Sequence, residues 1–181
     1  IAQAATATSI LAPSRPAPSL TQEQGLEKIV LLVQQFMKAK PEEGDFRISG
    51  DKSIEDRLVQ DHSHNEIQTL VSSNQIAATI KRLARDLPLI PKDIQAKFDK
   101  IDPSSPDAKA KINKALAELQ KERKDAIDAV LDAMLHAVTN RATTKLTLDT
   151  IVIATGPSLL FEVKMDMSNT TKAQQLVKHM L

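Results

Sequence analysis

Residues 73–91 read SNQIAATIKRLARDLPLIP. Ile76, Ile80, Leu83 and Leu87 recur at helical spacing, which predicts an amphipathic helix over Ser73 to Leu87. Pro88 ends it, because proline lacks the amide donor and its ring clashes with the preceding turn. Lys81 and Arg85 stand four residues apart, so two long cations share one face of that helix. Taken alone, such a pair is ordinary solvated surface, the default for exposed charge.

Upstream, Thr21 and Gln24 have the form of a capping box, and Leu26, Ile29, Val30, Val33, Phe36 and Met37 form an i, i+3, i+4 stripe. That helix stops before Pro41. A glycine-containing loop follows (PEEGDFRISGD), in which Phe46 and Ile48 flank Arg47 and are expected to bury as anchors that hold the arginine in place. Ile54 and Leu58, one turn apart, place a short helix over Lys52 to Gln60. Residues 1–20, rich in Ala, Ser, Thr and Pro with a single charge at Arg15, read as a flexible linker. The charge follows the apolar pair Ile10-Leu11, the reverse of a secretory signal. The chain opens on Ile1, which suggests excision from something longer.

Downstream, Lys92 to Lys100 supports another helix, and Asp102-Pro-Ser-Ser-Pro-Asp marks a turn. Residues 107–139 read as two helices with a break near Lys121 to Lys124. Thr147 caps a short, nearly all-apolar helix (Ile151, Val152, Ile153, Ala154) stopped by Gly156-Pro157; the β-branched residues leave a buried strand as the alternative. Ser168 to Leu181 closes as an amphipathic helix. No motif repeats at a fixed period, so a solenoid is not supported.

Composition removes whole classes of function. There is no cysteine, which excludes disulfide scaffolds, thiolate metal sites and cysteine nucleophiles, and suits a cytoplasmic protein. A formal net charge of +1 leaves no global field to draw in nucleic acid or a membrane surface. Without Trp or Tyr there is little with which to stack bases. No apolar run approaches the roughly 20 residues that span a bilayer. With only Gly25, Gly44, Gly50 and Gly156 available, no phosphate loop, dinucleotide fingerprint or nucleophile elbow can be assembled. His62 and His64 beside Asp61 make a two-ligand pair, too little for a metal site and better read as a polar loop. His136 and His179 suggest no site, and the carboxylates Glu42 and Glu43 read as solvated surface.

In their order along the chain these pieces resemble the Rho-family GTPase-activating (RhoGAP) domain. Glu43-Gly44-Asp45-Phe46-Arg47-Ile48-Ser49-Gly50 is similar to the family motif E-G-[I]-[F/Y]-R-x-[S]-G. Ile80-Lys81-Arg82-Leu83-Ala84-Arg85-Asp86-Leu87-Pro88-Leu89-Ile90-Pro91 is similar to L-K-x-[F/Y]-L-R-E-L-P-E-P-L-I-P, about two residues shorter after the first proline. Lys145-Leu146-Thr147 through Gly156-Pro157-Ser158-Leu159 matches a third block more loosely.

The resemblance implies an all-α fold, a single helical domain of about seven to nine helices, over residues 21–181. It implies stimulation of GTP hydrolysis by a GTP-bound Rho-family small GTPase. Arg47 would be the arginine finger inserted into the GTPase's active site, Arg85 would steady the finger loop, and Lys81 and Thr150 would bind the GTPase. Such a domain needs no cofactor or metal of its own, since GTP and Mg²⁺ are carried by the partner; neither nucleic acid nor membrane insertion is implied.

Three positions depart from the family pattern. Thr150 stands where the family has asparagine, and a hydroxyl has shorter reach than an amide. Asp45 replaces an apolar residue, and its carboxylate could pair with Arg47 or repel phosphate. Both favour the alternative, a GAP-like module that binds a small GTPase or another signalling protein with little or no acceleration. Thr155 in place of phenylalanine reads as a packing adjustment. The divergence and the scarcity of aromatics also suit a bacterial protein acting in a eukaryotic host cytosol.

Overall fold

The computed structural model describes residues 20–60, 71–87, 89–153 and 167–181. The linker assigned to residues 1–20 therefore lies, save for Leu20, outside the described residues, as do Asp61, His62, His64, Pro88, Thr155 and the stretch Gly156-Pro157-Ser158-Leu159. Every regular element among the described residues is a helix, joined to the next by turns and loops. In chain order the helices are α1 Gln22–Lys38, α2 Lys52–Gln60, α3 Ser73–Asp86, α4 Lys92–Asp99, α5 Ala108–Leu116, α6 Lys121–Thr139, α7 Arg141–Thr144, α8 over 148–153 and α9 Met167–Met180. Nine helices among the described residues agree with the all-α expectation.

Local chemistry sets several of the ends. The capping box forms: Gln24 N–H donates to Thr21 Oγ1 at 3.3 Å, and Thr21 N–H to Gln24 Oε1 at 3.1 Å. Leu26, Ile29, Leu32, Val33 and Phe36 form the buried stripe of α1. Leu32 completes it and Met37 faces out, 41% exposed. Ser72 caps α3 by accepting from Gln75 N–H, and Leu87 closes it by donating its N–H to Leu83 O.

One boundary differs from the sequence reading. The break in 107–139 falls at residues 117–120, ahead of the charged run Lys121-Glu-Arg-Lys. That run lacks apolar residues because it forms the first, mostly solvated turn of α6. The helix expected after Thr147 forms, and the alternative strand does not: Thr147 Oγ1 accepts from Thr150 N–H at 3.2 Å, and an N-cap outweighs the β preference of Ile151 to Ile153. The single turn α7 was not anticipated, and it ends where Lys145 takes a left-handed conformation.

α1 lies at the centre of the packing, against α6 on one side and α3 on another, while α2 packs on α3 and α5 on α4 and α9. Phe36, Phe46, Phe98, Ile80, Ile127 and Met134 are among the side chains wholly removed from water. Two of those phenylalanines meet where the loop between α1 and α2 folds back onto α1.

Candidate functional site

The loop from Pro41 to Gly50 owes its shape to two left-handed residues, Gly44 (φ 88°) and Phe46 (φ 64°). Only glycine adopts that region without steric cost. At position 44 an added Cβ would also fall 2.3 Å from Ile48 Cδ1. The turn is closed by one acceptor: Gly44 O receives the N–H of Arg47 at 2.8 Å and of Ile48 at 2.9 Å. Phenylalanine bears its left-handed backbone because its ring is 1% exposed and meets Phe36 edge-on, centroids 5.1 Å apart. Phe36 in turn meets the His136 ring at 5.8 Å, so α6, α1 and the loop are joined through three rings. Arg47, the next residue, is left exposed.

Burial of the flanking pair is one-sided. Phe46 anchors the arginine as expected, but Ile48 is 47% exposed and is no anchor.

Helix α3 grips the loop at two levels. At its N-terminus the Ser73 hydroxyl donates to Asp45 Oδ1 at 2.6 Å, and Ser73 N–H to Glu42 Oε1 at 2.8 Å. Asn74 Nδ2 donates to Glu43 O at 3.3 Å, and Asp51 N–H to Gln75 Oε1 at 3.1 Å. Farther along α3, Lys81 Nζ donates to Phe46 O at 2.7 Å. The close approach suits Gly50, where a Cβ would come within 2.7 Å of both Ala78 Cβ and Gln75 Oε1. A third hold comes from α7, where Thr144 O accepts from Gly44 N–H at 3.2 Å.

Electrostatics follow from this burial. Desolvation pushes the Asp45 carboxyl above its ordinary value, opposed by the donors on Ser73 and Glu42. Asp45 is fully buried and directed at Ser73 and the Glu42 amide, which corrects the expectation that it pairs with Arg47. Glu42 likewise is no mere solvated acid: it is half-buried and satisfies an amide at the start of α3, where the helix dipole favours negative charge. Desolvation, with the charge of Arg85 added, lowers Lys81 below the usual lysine range. Its ammonium is spent on a backbone carbonyl of the loop.

Of the other residues singled out by sequence, Arg85 has a side chain 70% exposed, with its Nε 3.9 Å from Asp86 Oδ1. The contact from α3 to the Phe46 carbonyl is made by Lys81. Thr150 lies in the first turn of α8, its hydroxyl 2.8 Å from that of Thr147. Ser73 and Glu42 were missed as loop supports, since a cap residue and a surface acid carry no mark of a partner some thirty positions away. Among the described residues no group of three His, Asp or Glu side chains could hold a metal ion. Nor is any described helix long and apolar enough to cross a membrane.

The site is thus an exposed guanidinium whose backbone is fixed on both sides, with Lys81 and Arg85 on the supporting helix. The family model of the RhoGAP domain matches residues 26–163, more than half of the chain. Among solved structures, the BH domain from GRAF, the GTPase regulator associated with focal adhesion kinase, superposes with a TM-score of 0.68 at 17% identity, covering 88% of this chain and 90% of that one. Human Rho GTPase activating protein 15 superposes with a TM-score of 0.63 at 16% identity, covering 86% of this chain and 79% of that one. At those identities the likeness establishes the fold. No curated protein matches the chain.

Proposed function

The chain belongs to the RhoGAP domain family, and we propose that it stimulates GTP hydrolysis by a Rho-family small GTPase in its GTP-bound form, with Arg47 as the arginine finger. The observation that carries this reading is the pairing of a buried, left-handed Phe46 with an exposed Arg47 beside it. A side chain meant to enter another protein's active site gains from a backbone that is already ordered.

The chemistry asks little else of the domain. Phosphoryl transfer spreads negative charge over the transferring group, and the GTPase supplies the phosphate loop, the Mg²⁺ and the residue that orients water. Arginine suits the remaining task because its planar fork donates several hydrogen bonds and keeps its charge. Fingers of this kind contribute roughly 10³ to 10⁵ in kcat. Lys81 steadies the loop through Phe46 O. Arg85, exposed one turn farther on, is available for the GTPase surface or for the loop once the partner is docked. Thr150 meets the GTPase from the start of α8.

A second reading, a module that docks without accelerating hydrolysis, is favoured by Thr150, whose short hydroxyl already lies against Thr147. The test is a panel of GTP-loaded Rho-type GTPases, each measured for binding and for hydrolysis with the domain present. Acceleration of any member supports the finger reading. Binding without acceleration supports the docking module, and neither response from any member refutes both.

A further inference from the structure

We propose that Asp45 and Ser73 act together as positioning residues for the arginine loop, fastening it to the N-terminus of α3 so that Arg47 is presented in one orientation. This rests on the reading of Arg47 given above. The Asp45 side chain has no exposure to water, and Ser73 is 1% exposed. Asp45 Oδ1 accepts from Ser73 Oγ at 2.6 Å and Oδ2 from Glu42 N–H at 3.2 Å, so both carboxylate oxygens are engaged. Glu42 completes the ring: its Oε1 takes the Ser73 N–H at 2.8 Å and lies 3.2 Å from Ser73 Oγ.

The position of this ring gives it its consequence. Asp45 lies between the two left-handed residues, and the acceptor that closes the turn under Arg47 is the carbonyl of Gly44. Freeing Asp45 frees the peptide units on either side of it, and the Arg47 and Ile48 amides lose the geometry of their shared acceptor. An apolar residue at 45 could hold the loop only by contact, whereas a carboxylate aimed at one hydroxyl and one amide fixes direction as well. Lys81 secures the far side of the turn, so α3 sets the loop at both ends.

Asp45→Ala removes both acceptors, and Ser73→Ala removes one donor while leaving Glu42 on the Ser73 amide. Asp45→Asn is the conservative control. Its oxygen can take the Glu42 amide and its NH₂ can donate to Ser73 Oγ, with the hydroxyl turned to Glu42. The first readout is amide hydrogen exchange at Arg47 and Ile48, which needs no GTPase. The second is single-turnover GTP hydrolysis across a range of domain concentrations with whichever Rho-type GTPase responds.

The expected result for Asp45→Ala is exchange about tenfold faster at those two amides, from the loss of two hydrogen bonds. Core amides of α1 and α6 should be unchanged. The saturating hydrolysis rate should fall by about tenfold while the half-saturating concentration stays within about twofold. Ser73→Ala should show a smaller effect in the same direction, and Asp45→Asn should restore both readouts. Unchanged exchange at Arg47 and Ile48 in both alanine variants would overturn the proposal, as would a loss confined to the half-saturating concentration. If the unaltered domain accelerates no GTPase, it is the finger reading that fails, and the exchange arm still decides whether Asp45 and Ser73 order the loop.

Discussion

Replacing Phe46 by alanine and by glycine should reverse the usual ranking of those two residues. The ring is 1% exposed and lies edge-on to Phe36, so either substitution removes a fully buried aromatic. For a buried phenylalanine cut back to alanine the cost is about 3–5 kcal/mol. Alanine must still adopt φ 64°, which costs an L-residue roughly 1–2 kcal/mol, whereas glycine is relieved of it. Against that, glycine's freer unfolded chain costs about 0.4–1 kcal/mol. Phe46→Gly should therefore be more stable than Phe46→Ala by about 0.5–1 kcal/mol, where an ordinary position would favour alanine. Urea unfolding at 25 °C gives the difference directly, followed by far-ultraviolet circular dichroism because the chain has no Trp or Tyr. Equal m-values are needed for the comparison. Alanine as stable as glycine would refute the strained turn, and a cost below about 1 kcal/mol for both would refute the buried anchor.

Three further outcomes follow from the same contacts. Burial raises the Asp45 pKa, with Glu42 adding to the rise and His136 opposing it, so the folded chain holds that proton more tightly than the unfolded one. Its contribution to stability is then greatest at acid pH and is lost as pH rises through the folded value; Asp45→Asn should gain stability relative to the unaltered chain as pH rises above about 4, and a difference independent of pH would contradict this. Lys81→Met keeps the apolar stem and removes both the ammonium's desolvation cost and its bond to Phe46 O, so stability should stay within about 1 kcal/mol while the saturating hydrolysis rate falls; a larger stability loss in urea would make Lys81 a fold residue. Arg82 Nη1 bridges from α3 to Asp56 Oδ1 at 2.6 Å on α2, in a site open enough to water that a double-mutant cycle should give a coupling of about 0.5–1 kcal/mol, falling with salt; no coupling would show that this pair contributes nothing to joining the two helices.

The fold was legible because its helices carry their own punctuation. Thr21 with Gln24, the stripe through Ile76 to Leu87 and the cap at Thr147 are local features, and each set a helix start or face that the structure keeps. The break between α5 and α6 was misplaced because a charged helical turn and a charged loop have the same composition. Arg47, Lys81 and Arg85 stood out through their order within motifs. The contacts that shape the loop did not, because they join residues distant in the chain: Asp45 to Ser73, Lys81 to Phe46 O, Gly44 N–H to Thr144 O. A carboxylate in a loop reads as solvated or as a partner for the nearest arginine. Only the packed structure shows that α3 lies close enough to bury it.

The central claim, that Arg47 acts in trans on a GTPase, is tested most directly by the single-turnover hydrolysis rate at saturating domain, compared between the unaltered chain and Arg47→Ala. The exposed position of Arg47 predicts a correctly folded variant that still binds the GTPase but whose saturating rate falls by roughly 10³-fold or more. An Arg47→Ala domain that accelerates hydrolysis as well as the unaltered one would contradict the claim.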